Sequence, residues 1–441
     1  GRGLPAIFRS FAFWAGFAVV FLPMFYNVIT YFSPGLPEAT IYREMYYIPL
    51  GDGMPHLYIR ILPLVMAVVY LCPVDILGSL TLFHLLALLK EGAMRSVGFT
   101  VGSAGQQIGA RDILFLESYG AVVFIGVWSV WLARRHLREV WRQVRHGTGD
   151  ERDVVGYRLT VCGLVLSAVW VIGWAVSLGM SLPVAMGAFA LMSLTYFVTI
   201  KLLVATGFSY LFPNKPHIKG ESFFVQLVGT SVMSPKTLVG FKIFTSNMFF
   251  GTFRIPAWPA IAHHLHIFSL RRQPRWVTGA VFVAFPIGFL IAAGATLDLS
   301  YQQGANVVTA GRPGAMAEFY DDIARKLGEP TYLDPGKWGV WLAGWFEAGL
   351  IALMRSRFYW FPLHPIGLAF QYTFGLWLYW FNIMLVWVIK LTLLRYGGVQ
   401  LYRAGKPFFY GLAIGYVTGV TLSVAVDLVW FPAQGHHTHG W

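Results

Sequence analysis

Between Arg158 and Lys201 the chain reads LTVCGLVLSAVWVIGWAVSLGMSLPVAMGAFALMSLTYFVTI, which is 42 residues without one charged side chain. The small-residue turn Ser177-Leu-Gly-Met-Ser-Leu-Pro183 divides this stretch into two halves. Each half has about 20 residues, the length that an α-helix needs to cross the hydrocarbon core of a bilayer. Because lipid offers the backbone no hydrogen-bond partner, the stretch predicts two transmembrane helices.

Apolar stretches of similar length recur along the chain. Trp338–Met354 has Glu347 as its one charged residue, and Leu57–Leu89 is divided by Pro73 and Asp75. We therefore predict an all-α fold, a polytopic transmembrane helical bundle of about nine spans with re-entrant or interfacial segments. The remaining stretches, all uncharged, are Phe11–Phe32, Ser118–Leu132, Trp276–Leu297, Phe358–Ile389 and Pro407–Val426.

The composition agrees with a membrane protein. The chain is 56% hydrophobic and 12% charged, about half the charged fraction of an ordinary soluble domain. The basic residues behind its net charge of +13 gather at the ends of apolar segments, which is the pattern of the positive-inside rule and not of a nucleic-acid surface. We predict that residues 1–441 form one multi-pass domain of a bacterial inner (cytoplasmic) membrane. The first residue is Gly, which fits a chain trimmed at its N-terminus, with helices upstream.

Residues 133–150 are predicted to form a basic amphipathic helix on the cytoplasmic face. Arginines at i/i+4 and i/i+3 spacing place positive charge along one side of this helix. Anionic lipid headgroups are the expected partners of such a side. The alternative is an anchor that sets the topology and recognises no lipid. The arginines concerned are Arg134, Arg135, Arg138, Arg142 and Arg145.

The charge of two further regions predicts their side of the membrane. From Lys201 to Arg275 the chain carries nine basic residues and one acid, so residues 207–275 are expected to be a cytoplasmic-side region, re-entrant or interfacial. Residues 298–337 hold six acids and four bases and are expected to form an external loop.

The candidates for substrate or proton binding are ionisable residues at membrane depth. Such residues are costly in lipid and face a cavity or one another, which makes Glu117, Glu347 and Lys201 site hypotheses. A buried glutamate also has a raised affinity for a proton and can carry one. The alternative is a residue at a helix end whose polar tip reaches the interface.

A second candidate is the segment Gly229-Thr-Ser-Val-Met-Ser-Pro-Lys236, which interrupts an apolar stretch. Interrupted helices in transporters offer free backbone amides and carbonyls to the substrate. We interpret the segment as the tip of a re-entrant hairpin in which Ser231, Ser234 and Lys236 face an anionic or zwitterionic solute. The alternative is a connector lying flat on the cytoplasmic leaflet.

We expect no enzyme, cofactor or resident metal. Adjacent histidines on a helix point about 100° apart, and acids and cysteines are missing beside His263, His264 and His266, so we interpret these histidines as interfacial and not as a zinc site. The nucleotide-binding pattern Gly-x-x-x-x-Gly-Lys-Ser/Thr is absent from the chain. No Ser/His/Asp arrangement for nucleophilic catalysis stands out.

Three motifs lie in the second half of the chain: Phe249-Phe-Gly-Thr-Phe-Arg-Ile-Pro-Ala-Trp-Pro259, His264-Leu-His-Ile-Phe-Ser-Leu-Arg-Arg272, and the ending from His364-Pro-Ile-Gly through Lys390-Leu-Thr-Leu-Leu-Arg-Tyr-Gly-Gly398. They resemble motifs of a large, uncharacterised family of bacterial polytopic membrane proteins, and the resemblance covers nearly the whole chain. Through Lys201-Leu-Leu-Val-Ala-Thr-Gly207 and the glycine-spaced helix Phe408–Leu428, that family in turn is distantly similar to the oligopeptide transporter superfamily. The resemblance implies proton-coupled transport of peptides or metal chelates.

The chain departs from the superfamily motif at two positions, and the departure leaves two functional hypotheses. Lys201 replaces an arginine, and Ala205 stands where an acid is usual. The first hypothesis is a secondary transporter of a small-molecule solute. The second is a non-transporting structural or accessory subunit that packs against other membrane subunits or its own copies. The glycine row Gly411, Gly415 and Gly419 predicts a close helix–helix contact, within the chain or between chains.

Overall fold

The computed structural model describes residues 6–33, 35–51, 53–146, 156–207, 221–245, 275–304, 315–431 and 436. Over these residues the fold is a helical bundle with one small hairpin, and the predicted all-α class is confirmed. Strands β1 (Tyr46–Ile48) and β2 (Leu57–Ile59) pair antiparallel, with Tyr47 opposite Tyr58. A 3₁₀ turn, Ala6–Arg9, precedes the first helix.

The α-helices are numbered here in chain order. They are α1 (Phe11–Phe32), α2 (Pro63–Leu71), α3 (Val74–Ser96), α4 (Ala110–Leu132), α5 (Arg134–His146), α6 (Tyr157–Ser177), α7 (Leu182–Thr206), α8 (Glu221–Val228), α9 (Pro235–Ile243), α10 (Arg275–Gln303), α11 (Ala315–Gly328), α12 (Pro335–Arg357), α13 (Pro365–Phe370) and α14 (Phe374–Trp430).

Within the described residues, seven helices are long and apolar enough to cross a membrane: α1, α3, α4, α6, α7, α10 and α14. The two helices predicted between Arg158 and Lys201 are α6 and α7, with a turn between them. Helix α14 has 57 residues and a non-helical backbone at Gly398. At 1.5 Å per residue it is about 85 Å long, so its two arms, 374–397 and 399–430, each match one crossing. Counting α14 twice turns seven candidates into eight.

Two stretches that the sequence left ambiguous are broken in the structure. The region Leu57–Leu89 contains β2, α2 and most of α3, with the break at Cys72 and Pro73. The Lys390 ammonium closes this break by donating hydrogen bonds to the carbonyl oxygens of Tyr70 at 2.9 Å and Cys72 at 2.5 Å. The stretch Phe358–Ile389 likewise contains α13, a break, and the start of α14.

The glycine row of α14 packs against α1. A Cβ added at Gly411 would clash with the carbonyl oxygen of Phe13, and one added at Gly415 would lie 2.6 Å from the carbonyl oxygen of Phe17. Gly16 of α1 meets the backbone of Phe408 in the same way. The predicted close contact is therefore confirmed, and both of its helices belong to this chain.

A second backbone contact joins α4 to α12. A Cβ at Gly120 would clash with the carbonyl oxygen of Trp341, and one at Gly344 would clash with that of Glu117. Only helices whose backbones touch leave so little room, and here they touch at the level of Glu117.

Asp334 fixes the start of α12. Its side chain is 1% exposed. It caps α12 by accepting from the backbone N–H groups of Gly336 and Lys337 at 2.9 and 3.1 Å. It also accepts from both the backbone N–H and the hydroxyl of Ser103 at 2.6 Å. The hydrogen bond from the Ser103 hydroxyl, joined by those from backbone amides, holds the pKa of Asp334 well below its usual range. The loop before α4 is thereby tied to α12.

The side of the membrane was predicted from charge for three regions. The structure describes secondary structure in parts of each of them. Residues 133–150 contain α5, and 298–337 contain the end of α10 and all of α11. Residues 207–275 contain α8 and α9, while 208–220 and 246–274 lie outside the described residues, together with His263, His264 and His266. The sidedness of these regions stays a prediction.

Candidate functional site

Glu117 lies buried in the centre of the bundle and has two hydrogen-bonding partners from other elements. The Lys90 ammonium on α3 lies 2.5 Å from its Oε1 atom, and the Gln371 amide donates to its Oε2 atom at 3.0 Å. Lys90 is partly exposed, whereas Gln371 is fully buried. Each oxygen of the Glu117 carboxyl group therefore has its own donor, one of them charged.

Glu347 of α12 is the next neighbour. The close approach at Gly120 and Gly344 brings α12 against α4, and the Glu347 carboxyl group lies beside that of Glu117. Two acids thus lie side by side, with Lys90 as the nearby positive charge. We call Glu117, Glu347 and Lys90 the carboxyl pair and its lysine.

The two acids of the pair differ in burial. Glu117 is 7% exposed, whereas Glu347 lies at the edge of the α4–α12 contact, where its side chain is exposed. The pair therefore lies at the boundary of the packed interior.

Gln371, whose side-chain amide donates to Glu117, lies in the break between α13 and α14. The Thr373 hydroxyl caps α14 by accepting from the Leu376 N–H at 3.3 Å, which starts a new helix and leaves residues 371–373 outside both. The carbonyl oxygen of Gln371 lies 3.0 Å from the Nδ1 atom of His84, a buried residue of α3. In a continuous helix the backbone N–H and C=O groups are hydrogen-bonded within the helix. The interruption at residues 371–373 leaves a backbone carbonyl in the core that can bind another element.

A second buried cluster surrounds Glu91, which follows Lys90 on α3. The Glu91 side chain has no solvent exposure and lies 2.5 Å from Arg95, 2.9 Å from Arg111 and 2.8 Å from the donating hydroxyl of Tyr372. Tyr372 follows Gln371, so two pairs of sequence neighbours, 90–91 on α3 and 371–372 in the break before α14, contribute to both clusters.

The Glu91 cluster reaches the protein surface. Arg95 and Arg111 line an open depression of about 400 Å³, together with Phe99 and Asp112. Glu91 pairs with both of these arginines, and Lys90, the preceding residue on α3, pairs with Glu117.

Sequence reasoning missed most of this network. Lys90, Glu91 and Arg95 follow an apolar stretch and were indistinguishable from the polar end of a transmembrane helix. Gln371 and Tyr372 lie within an uncharged stretch, and an uncharged polar residue between apolar neighbours is the one local signal that was present.

The remaining predicted residues lie elsewhere. The Lys201 ammonium donates to the Ser129 hydroxyl at 2.5 Å, twelve positions along α4 from Glu117. Ser234 caps α9 by accepting from the Thr237 N–H at 3.2 Å. Ser231 donates its backbone N–H to the Thr331 carbonyl at 3.0 Å, and Lys236 is exposed. The structure brings Glu117 and Glu347 together, places Lys201, Ser231 and Ser234 in other contacts, and leaves Lys236 at an exposed position.

Helix α5 carries its arginines on an exposed surface. No residue of α5 is buried, and Trp141 is 63% exposed beside the charged side. Arg142 forms an ion pair with Glu139 at 2.8 Å, and the Arg134 guanidinium lies 4.8 Å from the ring centre of Trp131. An amphipathic helix with this distribution suits the boundary between lipid and water.

In the described part of the chain, no group of three or more His, Cys, Asp or Glu side chains is arranged to hold a metal ion.

Comparison with known proteins yields one match. A family model described as "Family of unknown function" (DUF6785) matches residues 2–437. No curated protein and no solved structure matches the chain.

Proposed function

This chain belongs to DUF6785, a family of unknown function, and we propose that it is a proton-coupled secondary transporter of a small solute. The observation that carries the proposal is the approach of Glu347 to Glu117, beside Lys90, where α4 and α12 touch inside a bundle that has the spans of an integral membrane protein.

The chemistry of this pair suits a coupling site. Two interacting carboxyl groups take up and release protons as a unit, so one site alternates between a singly protonated and a fully ionised state. When the proton leaves, two negative charges face one ammonium. The repulsion between the two carboxylates then favours separation of the helices that carry them. A conformational change is then tied to proton occupancy, as alternating access requires.

The solute and the setting follow from the resemblance to the oligopeptide transporters. That resemblance supports a peptide or a metal chelate as the solute and the bacterial inner membrane as the location. The acid of the superfamily motif is replaced by Ala205, and Lys201 of the same motif contacts Ser129. In this chain, therefore, proton coupling is assigned to Glu117 and Glu347 and not to that motif.

A second candidate function is a non-transporting accessory subunit. It is favoured by the exposure of helices α6 and α10: in their most apolar stretches, only 6% and 0% of the residues are buried within the chain. Such helices have wide surfaces for other membrane subunits or for a second copy. Under either function, the arginines of α5 are proposed to bind anionic lipid headgroups.

The test is transport by the purified protein in liposomes with a pH-sensitive dye inside, energised by a proton gradient. A mixture of dipeptides and ferric citrate serve as the trial solutes. We expect Glu347→Gln to lower uptake and proton entry at least tenfold while the protein stays folded, because the pair can no longer exchange a proton. Glu139→Gln, which alters a partly exposed glutamate of α5, is the matched control and should transport normally.

Infrared spectroscopy gives a reading that does not depend on the solute. The C=O stretch of a protonated carboxyl group should be present in the parent protein at neutral pH and lost in Glu347→Gln. Uptake at the parental rate in Glu347→Gln would remove the pair from the mechanism. Absence of uptake together with stoichiometric co-purification of another membrane protein would favour the accessory subunit.

A further inference from the structure

Arg60 is fixed at the junction of β2 and α2. The Asn382 amide donates to the Arg60 carbonyl oxygen at 2.9 Å, and its Oδ1 atom accepts from the Leu62 N–H at 2.8 Å. The indole of Trp380 donates to the Tyr58 carbonyl oxygen at 2.6 Å. These bonds attach the junction to the first arm of α14, so the Arg60 backbone has a defined position in the core.

The Arg60 guanidinium is buried and lacks the partners that such a group needs. Its side chain is 4% exposed, and in the described part of the chain its Nε and Nη2 atoms have no hydrogen-bond partner. The groups that act on it electrostatically are Tyr379 and Tyr416, whose phenols carry no charge at neutral pH. Burying an unpaired charge costs several kcal/mol or more in proteins.

Other cations of the core are treated differently. The buried Lys390 donates to two carbonyl oxygens, and Arg95 and Arg111, which are partly exposed, both pair with Glu91. Arg60 has the least solvent of these four and lacks an equivalent acceptor for Nε and Nη2. Of these four cations, Arg60 is the one with buried side-chain nitrogen atoms that have no acceptor in the described part of the chain.

The two unpartnered atoms lie on the same edge of the guanidinium plane. The N–H bonds of Nε and Nη2 on that edge are nearly parallel, which is the fork that binds both oxygens of a carboxylate or two oxygens of a phosphate. We propose that Arg60 is the binding residue of an oxyanion site between the β2–α2 junction and the two arms of α14. The occupant carries a carboxylate or phosphate group, supplied either by a free solute or by a lipid headgroup.

The site is separate from the carboxyl pair and its lysine. Its elements are β2, α2 and α14, and the binding of an anion there is measurable without any transport. Loss of transport in Glu347→Gln and loss of anion binding in an Arg60 variant are therefore independent results.

The first experiment measures thermal unfolding of the detergent-purified full chain as inorganic phosphate or acetate is raised at constant ionic strength. Constant ionic strength removes general screening effects, and a ligand that binds the folded state raises Tm in a saturable way. We expect a saturable rise for the parent. Arg60→Lys keeps the charge without the fork and should need at least tenfold more anion, while Arg60→Gln should show no response. Arg403→Gln, an exposed arginine of α14, should respond as the parent does.

The second experiment separates the two sources of the anion by mass spectrometry of co-purified lipid. If a phospholipid occupies the site, about one molecule per chain will remain with the parent, less with Arg60→Gln, and added phosphate will raise Tm only after delipidation. If a free anion occupies it, lipid content will be equal and phosphate will act directly.

Two results would overturn the proposal. In the first, the Tm of the parent shows no saturable response to anions before or after delipidation, and the parent retains no more lipid than Arg60→Gln does. This result would mean that only interior water hydrogen-bonds to the guanidinium. The other is an undiminished response in both Arg60 variants. Should Arg60→Gln fail to fold, the comparison of Arg60→Lys with Arg403→Gln decides alone.

Discussion

Helices α4 and α6 are both apolar and both long enough to cross a bilayer, yet they have opposite surroundings. In the most apolar window of α4, 72% of the residues are buried, against 6% in α6. The more apolar of the two is α6, the exposed one. The buried α4 contains Glu117, Ser118, Gly120 and Ser129, all of them buried.

The difference shows what builds the core of this protein. Lipid tails are as apolar as leucine, so an apolar face gains little by leaving lipid for another helix. Small residues that let backbones touch, and polar residues that need partners, gain more from burial. The interior of this bundle is accordingly marked by Gly120, Gly344 and Gly411 and by the ionisable residues between α3 and α4.

The largest effect is expected where backbones touch. Gly120→Ala places a Cβ against the carbonyl oxygen of Trp341, and neither helix backbone can yield locally. We expect a loss of stability of about 3 kcal/mol or more, seen as a lower Tm and a poor yield of monodisperse protein in detergent. The same change in α6, Gly163→Ala, meets no neighbouring atom within 4 Å and should be neutral or slightly stabilising. Equal behaviour of the two variants would remove the distinction between α4 and α6.

A smaller effect is expected from the buried carboxylate of α3. Glu91→Gln takes the negative charge away from Arg95 and Arg111. We expect a cost of about 2–3 kcal/mol, below that of a fully buried pair because both arginines keep contact with water. The exposed pair of α5 provides the comparison, and Glu139→Gln should leave the Tm unchanged. A Glu91→Gln protein as stable as its parent would show that this cluster contributes nothing to holding α3 and α4 together.

The smallest effect is expected at the start of α12, and it depends on pH. The pKa of Asp334 is lowered in the folded protein, chiefly by the hydrogen bond from the Ser103 hydroxyl. Its contribution is therefore complete above the unfolded-state value of about 3.9 and is lost as the pH falls through the lower folded-state value. We expect Asp334→Asn to cost about 1 kcal/mol at neutral pH.

The measurement for Asp334 is the Tm difference between parent and variant across pH. This difference should stay constant from about pH 7 to 5 and shrink as the pH falls below about 4. Asp298→Asn, at an exposed position of α10, should show a small difference throughout. A gap that does not close in acid would mean that the carboxylate charge of Asp334 is not what ties α12 to the loop before α4.

Several elements were predictable because their signal is local. The uncharged stretch between Arg158 and Lys201 predicted α6 and α7, and the spacing of Gly411, Gly415 and Gly419 predicted a close contact. The partner of that contact, α1, was not predictable, since nothing in the glycine row indicates which of several apolar helices it meets. The break at residues 371–373 was hidden for a related reason: its sequence is uncharged, and its helix ends are satisfied by His84 and Thr373.

The sequence by itself determined that this chain is a helical membrane protein, because hydropathy and segment length act within one stretch of about 20 residues. It also marked Glu117 and Glu347 as costly residues at membrane depth. Only the tertiary structure decided that these two meet each other, that Lys90 and Gln371 join them, and that one edge of Arg60 has no partner among the described residues. Such pairings join distant positions, as Gln371 and Glu117 do at 254 residues apart, and they depend on which backbones approach closely enough to touch.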